Sequence, residues 1–363
     1  MSGKELVSVV IPAYNAVKFI EDAIKSCFTQ TYRPVEIVVV NDGSTDSTVH
    51  VVNDLSDLIP DKELELRIID IGENKGAANA LNVGFSSARG DYVCWLSSDD
   101  AFIDKRKVQK QVDFMKKTNA LWSYFRDYYT GITISSAVIS RGSYLQYLRI
   151  LDSVFIHDSD LRLMLLLFRN PINGSSTMIK RNCIEAYGQF DPITRNVDGD
   201  GDLWMRYSAL RLKLQVLKGA SVFYRVHPKQ TSKRKNLMMH GSELTRMRIL
   251  LTLERKGNLV KLIKKFTPYL AIILMTKEHL NRPFVSEFLF NYILAHRREF
   301  NCVFLKYIHR SLSDVKKHEN YLMLNRNEFL KDLKLFVGSH TYKNFEDLLK
   351  MMIYNGENNS NRR

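Results

Sequence analysis

Short β-rich runs alternate with helix-spaced patterns over the first hundred residues. Residues 7–11 (VSVVI) form an apolar run that Pro12 is expected to stop. Over residues 17–28, apolar side chains recur at Val17, Ile20, Ala23, Ile24 and Phe28, the spacing of one helix face. Residues 35–40 make a second buried-strand run, and residues 45–58 read as a helix with Ser44 or Thr45 as its N-cap. Residues 64–71 read as a third strand, 77–88 as a helix of small residues, and 92–96 as a fourth strand. Strands and helices alternating over so short a span predict a parallel sheet with helices on its faces. Ligands of such sheets bind beyond the carboxyl ends of the strands. Three polar clusters fall at those ends: Pro12-Ala13-Tyr14-Asn15, Asn41-Asp42-Gly43-Ser44 and Ser97-Ser98-Asp99-Asp100.

From residue 101 to about 225 the pattern is mixed. Residues 105–117 predict a polar helix, and 173–180 (NGSSTMIK) small polar residues leading into a short strand. Residues 197–210 (VDGDGDLWMRYSAL) begin with acids and glycines and then turn helical. From residue 241 to 352 the pattern is almost entirely helical and rich in Leu, Ile, Phe and Lys. The expected division is therefore a first domain over 1–232, with halves 1–100 and 101–232. A helical basic region over 233–354 follows, and then a disordered tail over 355–363.

Charge sharpens that division. Residues 1–100 carry eight Lys/Arg against 16 Asp/Glu, whereas residues 201–363 carry 31 against 13. A basic half of this kind meets an anionic membrane, a phosphorylated substrate or a nucleic acid. No RNP, zinc-finger or helix-turn-helix motif accompanies the charge, so nucleic acid is not expected. Residues 259–266 (LVKLIKKF) form a basic amphipathic pattern, a candidate for peripheral membrane contact. The longest strongly apolar stretch, 269–275, is far short of the ~20 residues of a spanning helix, and no signal-type h-region is expected. Cys27, Cys94, Cys183 and Cys302 lie far apart, with neither a CxxC pair nor zinc spacing. A reducing compartment fits, and a cytoplasmic location, peripheral on the inner membrane surface, is the expectation.

Asp99 and Asp100, adjacent carboxylates at a strand end, suit Mg²⁺ or Mn²⁺. Such ions take one or two protein carboxylates and complete their shell with water and phosphate oxygens. Each cluster also has a bland reading, because Asp-Gly is a turn signal and Asp-Asp caps helices. The absence of GxGxxG after the first strand, and of a Walker lysine motif, argues against a dinucleotide dehydrogenase and a P-loop NTPase.

The motifs VSVVIPAYN, VEIVVVNDGSTDST, ENKGAANALNVGFSSARGDYVCWLSSDD, YGQFDP, GDGDLWMRYS and YRVHPKQTS occur in this order between residues 5 and about 232. Together they resemble the family 2 glycosyltransferases of GT-A fold. The resemblance implies an α/β fold in which a Rossmann-like nucleotide-binding sheet with helices on both faces is followed by the α-helical region. It implies an inverting hexosyl- or N-acetylhexosaminyl-transferase that uses a nucleoside-diphosphate sugar, UDP-linked, a glycan or glycolipid acceptor, and Mn²⁺ or Mg²⁺. Residue by residue, it places Tyr14 beside the nucleobase and Asp42 in hydrogen bonds to it, with Pro12 a further donor-binding residue. Asp99 matches the metal carboxylate of the family's Asp-x-Asp motif, Ser97 stands where its first Asp is usual, and Asp100 is a further donor-site carboxylate. His227, after Tyr224-Arg225, matches a metal or diphosphate ligand. Asp200 matches the catalytic base, and Gly199 replaces the Glu usual before it. Asp202 is expected to cap the following helix, Asp198 is a reserve for the base, and Trp204 belongs to the acceptor side. Ser97 and Gly199 also support an alternative, a catalytically inactive nucleotide-sugar or glycan-binding protein on the same fold. A nucleotidyltransferase is not supported, because no glycine-rich, Arg/Lys-bearing triphosphate loop follows the first strand.

Overall fold

The computed structural model describes residues 4–141, 155–194 and 199–360. They divide into two compact units. The first comprises Met1–His157, Pro171–Leu203 and Leu210–Gln230, and the second Asp158–Asn170, Trp204–Ala209 and Thr231–Arg363. The sequence placed the break at 232. The chain instead leaves the first unit after Gln230, and two short pieces from within the expected first domain belong to the second.

The first unit is a nine-stranded sheet. Its parallel part holds β1 (Val7–Ala13), β2 (Val35–Asn41), β3 (Leu64–Asp70) and β4 (Tyr92–Trp95), joined by helices α1 (Ile20–Phe28), α2 (Thr48–Ser56) and α3 (Ala77–Ser87). β1 pairs in parallel with β2 on one side and β4 on the other, and β2 pairs with β3. β1 and β2 are almost wholly buried, as continuous β-branched runs covered on both faces must be. Gly84 lets α3 lie close on β1: a Cβ there would come within 2.2 Å of Val10. The one charge in β2, Glu36, is buried. Burial pushes its carboxyl up, but hydrogen bonds from Ser8 and from the backbone and guanidinium of Arg89 outweigh this and hold it below the usual range.

Two boundaries differ from the sequence expectation. β1 runs through Pro12 to Ala13, because its pairing with β4 ends at Val10↔Trp95 and the missing N–H of Pro12 breaks no ladder there. α1 and α2 start three residues later than expected, since the residues before them bond to each other instead of entering the helices.

Past β4 the sheet becomes mixed. β5 (Ala101–Phe102), helix α4 (Lys107–Thr118), β6 (Trp122–Gly131), β7 (Val138–Arg141), β8 (Thr177–Lys180) and β9 (Leu214–Arg225) follow in the chain. The strand order is β3-β2-β1-β4-β8-β6-β9-β5, with β7 on β6. β8 lies antiparallel to β4, and β9 returns parallel to β6.

Among the described residues, every regular element of the second unit is a helix. The helix Pro283–Ala295 is buried almost all round, which marks it as the core helix. The helix Leu259–Met275 buries Leu259, Ile263, Phe266, Leu270 and Ile273, with Phe266 stacked on Phe168. The amphipathic pattern read as a membrane candidate thus has its apolar face inside the unit. Two of its lysines are paired, Lys264 with Glu299 and Lys265 with Asp158 and Asp160. The last helix, Ser339–Ser360, continues through most of the stretch expected to be a disordered tail. Among the described residues, no helix is long and apolar enough to cross a membrane.

Candidate active site

The chain runs from β1 outward to β2 and β3, then returns to place β4 on the other side of β1. The carboxyl ends of β1 and β4 therefore flank the point where strand order reverses, the usual crevice for a nucleotide. All three polar clusters predicted from the sequence lie at that edge.

The loops after β1 and β2 are laced together. The amide of Asn15 donates to Ser44 Oγ (3.0 Å), and Asn15 Oδ1 accepts from the amide of Thr45 (2.8 Å). Asn15 holds a left-handed backbone, φ 49°, a conformation asparagine tolerates better than most residues. The amide of Ala16 donates to Thr48 Oγ1 (2.8 Å), and Asp46 accepts from the amide of Thr48 (3.0 Å). Tyr14 stands out from this web at 49% exposure, available to a ring ligand. Asp42 is buried, and its two carboxylate oxygens accept the amides of Lys75 and Gly76 at 2.8 and 2.9 Å. It thereby ties the end of β2 to the turn that opens α3. Each oxygen has a second lone pair, so this duty does not preclude a base contact.

The end of β4 turns tightly, with the amide of Asp100 donating to Ser97 O (3.0 Å). Asp99 projects from this turn, and its Oδ2 lies 3.0 Å from His227 Nε2, 128 positions later in the chain. The two side chains are 28% and 19% exposed, open to solvent on one side. His227 also packs its ring 4.9 Å from that of Phe19.

Asp100, expected at the donor, takes another role. It is 2% exposed, and its oxygens accept from Ser175 Oγ (2.6 Å) and the amide of Arg225 (3.1 Å). Burial, then the neighbouring Asp99 carboxylate, push its acid well above the usual range, against the opposing pull of Ser175 and Arg225. With both oxygens engaged inside the turn this side chain braces it, and Asp99 is the member of the pair that faces solvent. Arg225 adds a bond from Nε to Asp99 O (2.9 Å) and one from Nη2 to Asp22 (2.7 Å). The sequence reading did not single out Ser175 or Gln230, and it took Arg225 only as part of the motif before His227. The one signal for them was their position inside the matched motifs or the small-polar run 173–180.

The other expected residues fall as follows. Pro12 and Ser97 are half-buried at the carboxyl edge, and the amide of Ser97 donates to Ser175 Oγ (3.1 Å). Asp200 and Asp202 both lie in the first turn of the helix Gly199–Ala209, Asp200 half-buried and Asp202 fully buried. At position 199, where the family has Glu, a Cβ would come within 2.9 Å of Thr194 Oγ1, so a side chain there would require that hydroxyl to move. Asp198 lies outside the described residues. Trp204, expected on the acceptor side, is fully buried in the second unit, edge-on to Tyr207, where it acts as core. It sits on the inward face of its helix, a placement that the motif alone did not reveal.

Among the described residues, no set of three or more His, Cys, Asp and Glu side chains comes together as a metal cluster. Asp99 and His227 nonetheless fit a divalent ion. One carboxylate oxygen and one imidazole nitrogen 3.0 Å apart can share a cation, and Mg²⁺ or Mn²⁺ in nucleotide sites takes its remaining ligands from phosphate and water.

Comparison with known proteins agrees with this geometry. The profile of Glycosyl transferase family 2 matches residues 8–162. The chain is 36% identical over 162 residues to the Escherichia coli UDP-Glc:alpha-D-GlcNAc-diphosphoundecaprenol beta-1,3-glucosyltransferase WfaP, covering 42% of this chain and 61% of WfaP. It is 30% identical over 235 residues to an uncharacterised glycosyltransferase of Haemophilus influenzae, covering 64% of this chain and 69% of that one. Of two further uncharacterised glycosyltransferases, from Haemophilus influenzae and Rickettsia bellii, it spans less than half, 46% and 32%. The crystal structure of S. aureus TarS 1-349 in complex with UDP superposes with a TM-score of 0.54 at 14% identity, over 87% of this chain and 88% of that one. That likeness is one of fold alone. With the ordered motifs at one sheet edge, the matched profile and a relative covered over two thirds of its length, the chain belongs to glycosyl transferase family 2.

Proposed function

We propose that the chain is an inverting glycosyltransferase that moves a sugar from a UDP-sugar to a hydroxyl of a glycan or glycolipid acceptor. The observation that carries this reading is the meeting of Asp99 Oδ2 and His227 Nε2 at the carboxyl edge of the sheet. The substrates in WfaP's name, a UDP-sugar and a diphosphoundecaprenol-linked acceptor, support the choice of UDP and of a lipid-linked glycan.

Asp99 and His227 would hold Mn²⁺ or Mg²⁺, whose charge offsets that of the departing diphosphate. Tyr14 and Asp42 take the nucleobase side, and Pro12 and Ser97 line the approach to the ribose and diphosphate. Asp200 accepts the proton of the acceptor hydroxyl as its oxygen bonds to the anomeric carbon. The bond from that carbon to the UDP oxygen breaks on the opposite face, and the configuration inverts. Asp200 suits the base better than Asp202, because a group that exchanges protons with substrate must be reachable and Asp202 is fully buried.

Calorimetric titration of UDP with Mn²⁺ tests the reading. Asp99→Ala should lose the metal-dependent part of UDP affinity and keep the melting temperature, since a half-exposed carboxylate at a strand end is not core. Unchanged affinity would remove Asp99 from the site. Acceptor-dependent release of UDP from UDP-glucose, with a GlcNAc-diphospholipid as acceptor, distinguishes the enzyme from an inactive binding protein.

A further inference from the structure

Two side chains with no charge and no place in the proposed chemistry hold the two turns that present Asp99 and His227. Ser175 is 1% exposed, in the turn just before β8. Its Oγ accepts the amide of Ser97 (3.1 Å) and donates to Asp100 Oδ2 (2.6 Å), so it grips both ends of the turn that carries Asp99. Gln230 is also buried. Its Oε1 accepts the amide of His227 (3.1 Å), and its Nε2 donates to Arg225 O (2.5 Å). One carboxamide therefore closes the turn that carries His227. Arg225 stitches the two turns together, with its amide on Asp100 and its Nε on Asp99 O. The relative placement of Asp99 Oδ2 and His227 Nε2 is thus a property of two closed turns and one crosslink, built from residues far apart in sequence.

We propose that Ser175 and Gln230 are positioning residues that set the divalent-ion affinity of the Asp99–His227 pair, Ser175 through Asp100 and the Ser97 amide, Gln230 through the backbone of His227. This rests on the reading of that pair as the ion site. A carboxylate and an imidazole held 3.0 Å apart incur little ordering cost on binding one ion, whereas a pair on loose turns must be fixed by the ion itself. Removing outer partners of metal ligands typically lowers affinity by about 10–100-fold.

The full-length protein carries the test, with free Mn²⁺ measured by electron paramagnetic resonance in the presence of UDP. Ser175→Ala and Gln230→Met should each weaken Mn²⁺ binding by about tenfold or more. UDP affinity without metal should stay within twofold of wild type, a pattern that general loosening of the unit would not give. Ser175→Thr keeps the hydroxyl and should restore wild-type Mn²⁺ affinity. Gln230→Met keeps the length and flexibility of the side chain, so it decides the matter even if Ser175→Ala does not fold. Mn²⁺ affinity within twofold of wild type in folded Gln230→Met overturns the proposal. Asp99→Ala serves as the control. If it binds Mn²⁺ as wild type does, the ion-site reading itself fails; if it loses the ion while the other two variants keep it, only the positioning role fails.

Discussion

In the sheet unit, the buried Asp100 is held by Ser175 and Arg225, 75 and 125 positions away in the chain. In the helical unit, the buried Glu243 and Arg246 are held at helix ends. Glu243 Oε2 accepts the amide of Val285 (2.8 Å) in the first turn of the helix Pro283–Ala295. Arg246 Nε donates to Leu166 O (3.1 Å) at the end of the helix Ser159–Leu166. An acid at a helix start and a base at a helix finish satisfy orphan backbone groups and complement the helix dipole. The buried pair Glu243 and Arg246 therefore serves packing, while Asp100 fixes the geometry of a solvent-facing edge. A buried ionisable group is informative about function when its partners converge on an open crevice, and much less so when they are helix termini.

The largest expected effect breaks the comparison on the sheet side. Asp200→Asn keeps size and polarity but cannot accept a proton, so turnover should fall by about 10²-fold or more with Mn²⁺-dependent UDP binding intact. Asp202→Asn should act mainly on stability, because that carboxylate is buried in the first helical turn. Steady-state assays of the two variants side by side decide it. Loss of turnover only in Asp202→Asn would mean that the base is two residues further on.

The next effect sharpens the helical side. Burial is the largest influence on Glu243 and raises its acid to about 7, against the pull of Arg282, the Val285 amide and Arg246. Between about pH 4.5 and 7 the folded state therefore binds more protons than the unfolded chain, so stability should fall as pH rises through that window. The loss contributed by this group is on the order of 3 kcal/mol, and Glu243→Gln should abolish it. Urea midpoints measured from pH 5 to 8 check this, and a midpoint that rises with pH by the same amount in both proteins would contradict it.

The smallest effect concerns the basic surface. With most of the apolar face of the helix Leu259–Met275 already buried, that helix offers a membrane chiefly its exposed lysines. Binding to acidic liposomes should be weak and should collapse as salt rises, since exposed charges are screened beyond about 10 Å at 0.1 M. Equal sedimentation with neutral and acidic vesicles would show that the charge plays no such part.

The parallel strands β1 to β4 were legible because each is a local apolar run bounded by turn residues, and so was the position of the polar clusters at their ends. Asp99 and His227 were legible as chemistry through the motifs that contain them. Asp100 was misjudged because an Asp-Asp pair reads the same whether its second carboxylate faces solvent or the interior. Trp204 was misjudged for a similar reason: a motif names a residue without saying which face of the helix turns inward.

Local spacing in this chain sufficed to determine alternating strands and helices, the crevice they imply and the residue types at its rim. Helix periodicity likewise marked the basic C-terminal region as helical. Only the tertiary structure decided that Asp99 meets His227, that Asp100 turns inward to Ser175 and Arg225, and that the apolar stripe of residues 259–273 faces a core instead of a bilayer. The reason is physical. Apolar period and turn chemistry are short-range properties written within a few residues. The partner of a buried polar group is chosen by which distant strand or turn closes the sheet around it, and no window of sequence contains both members of such a pair.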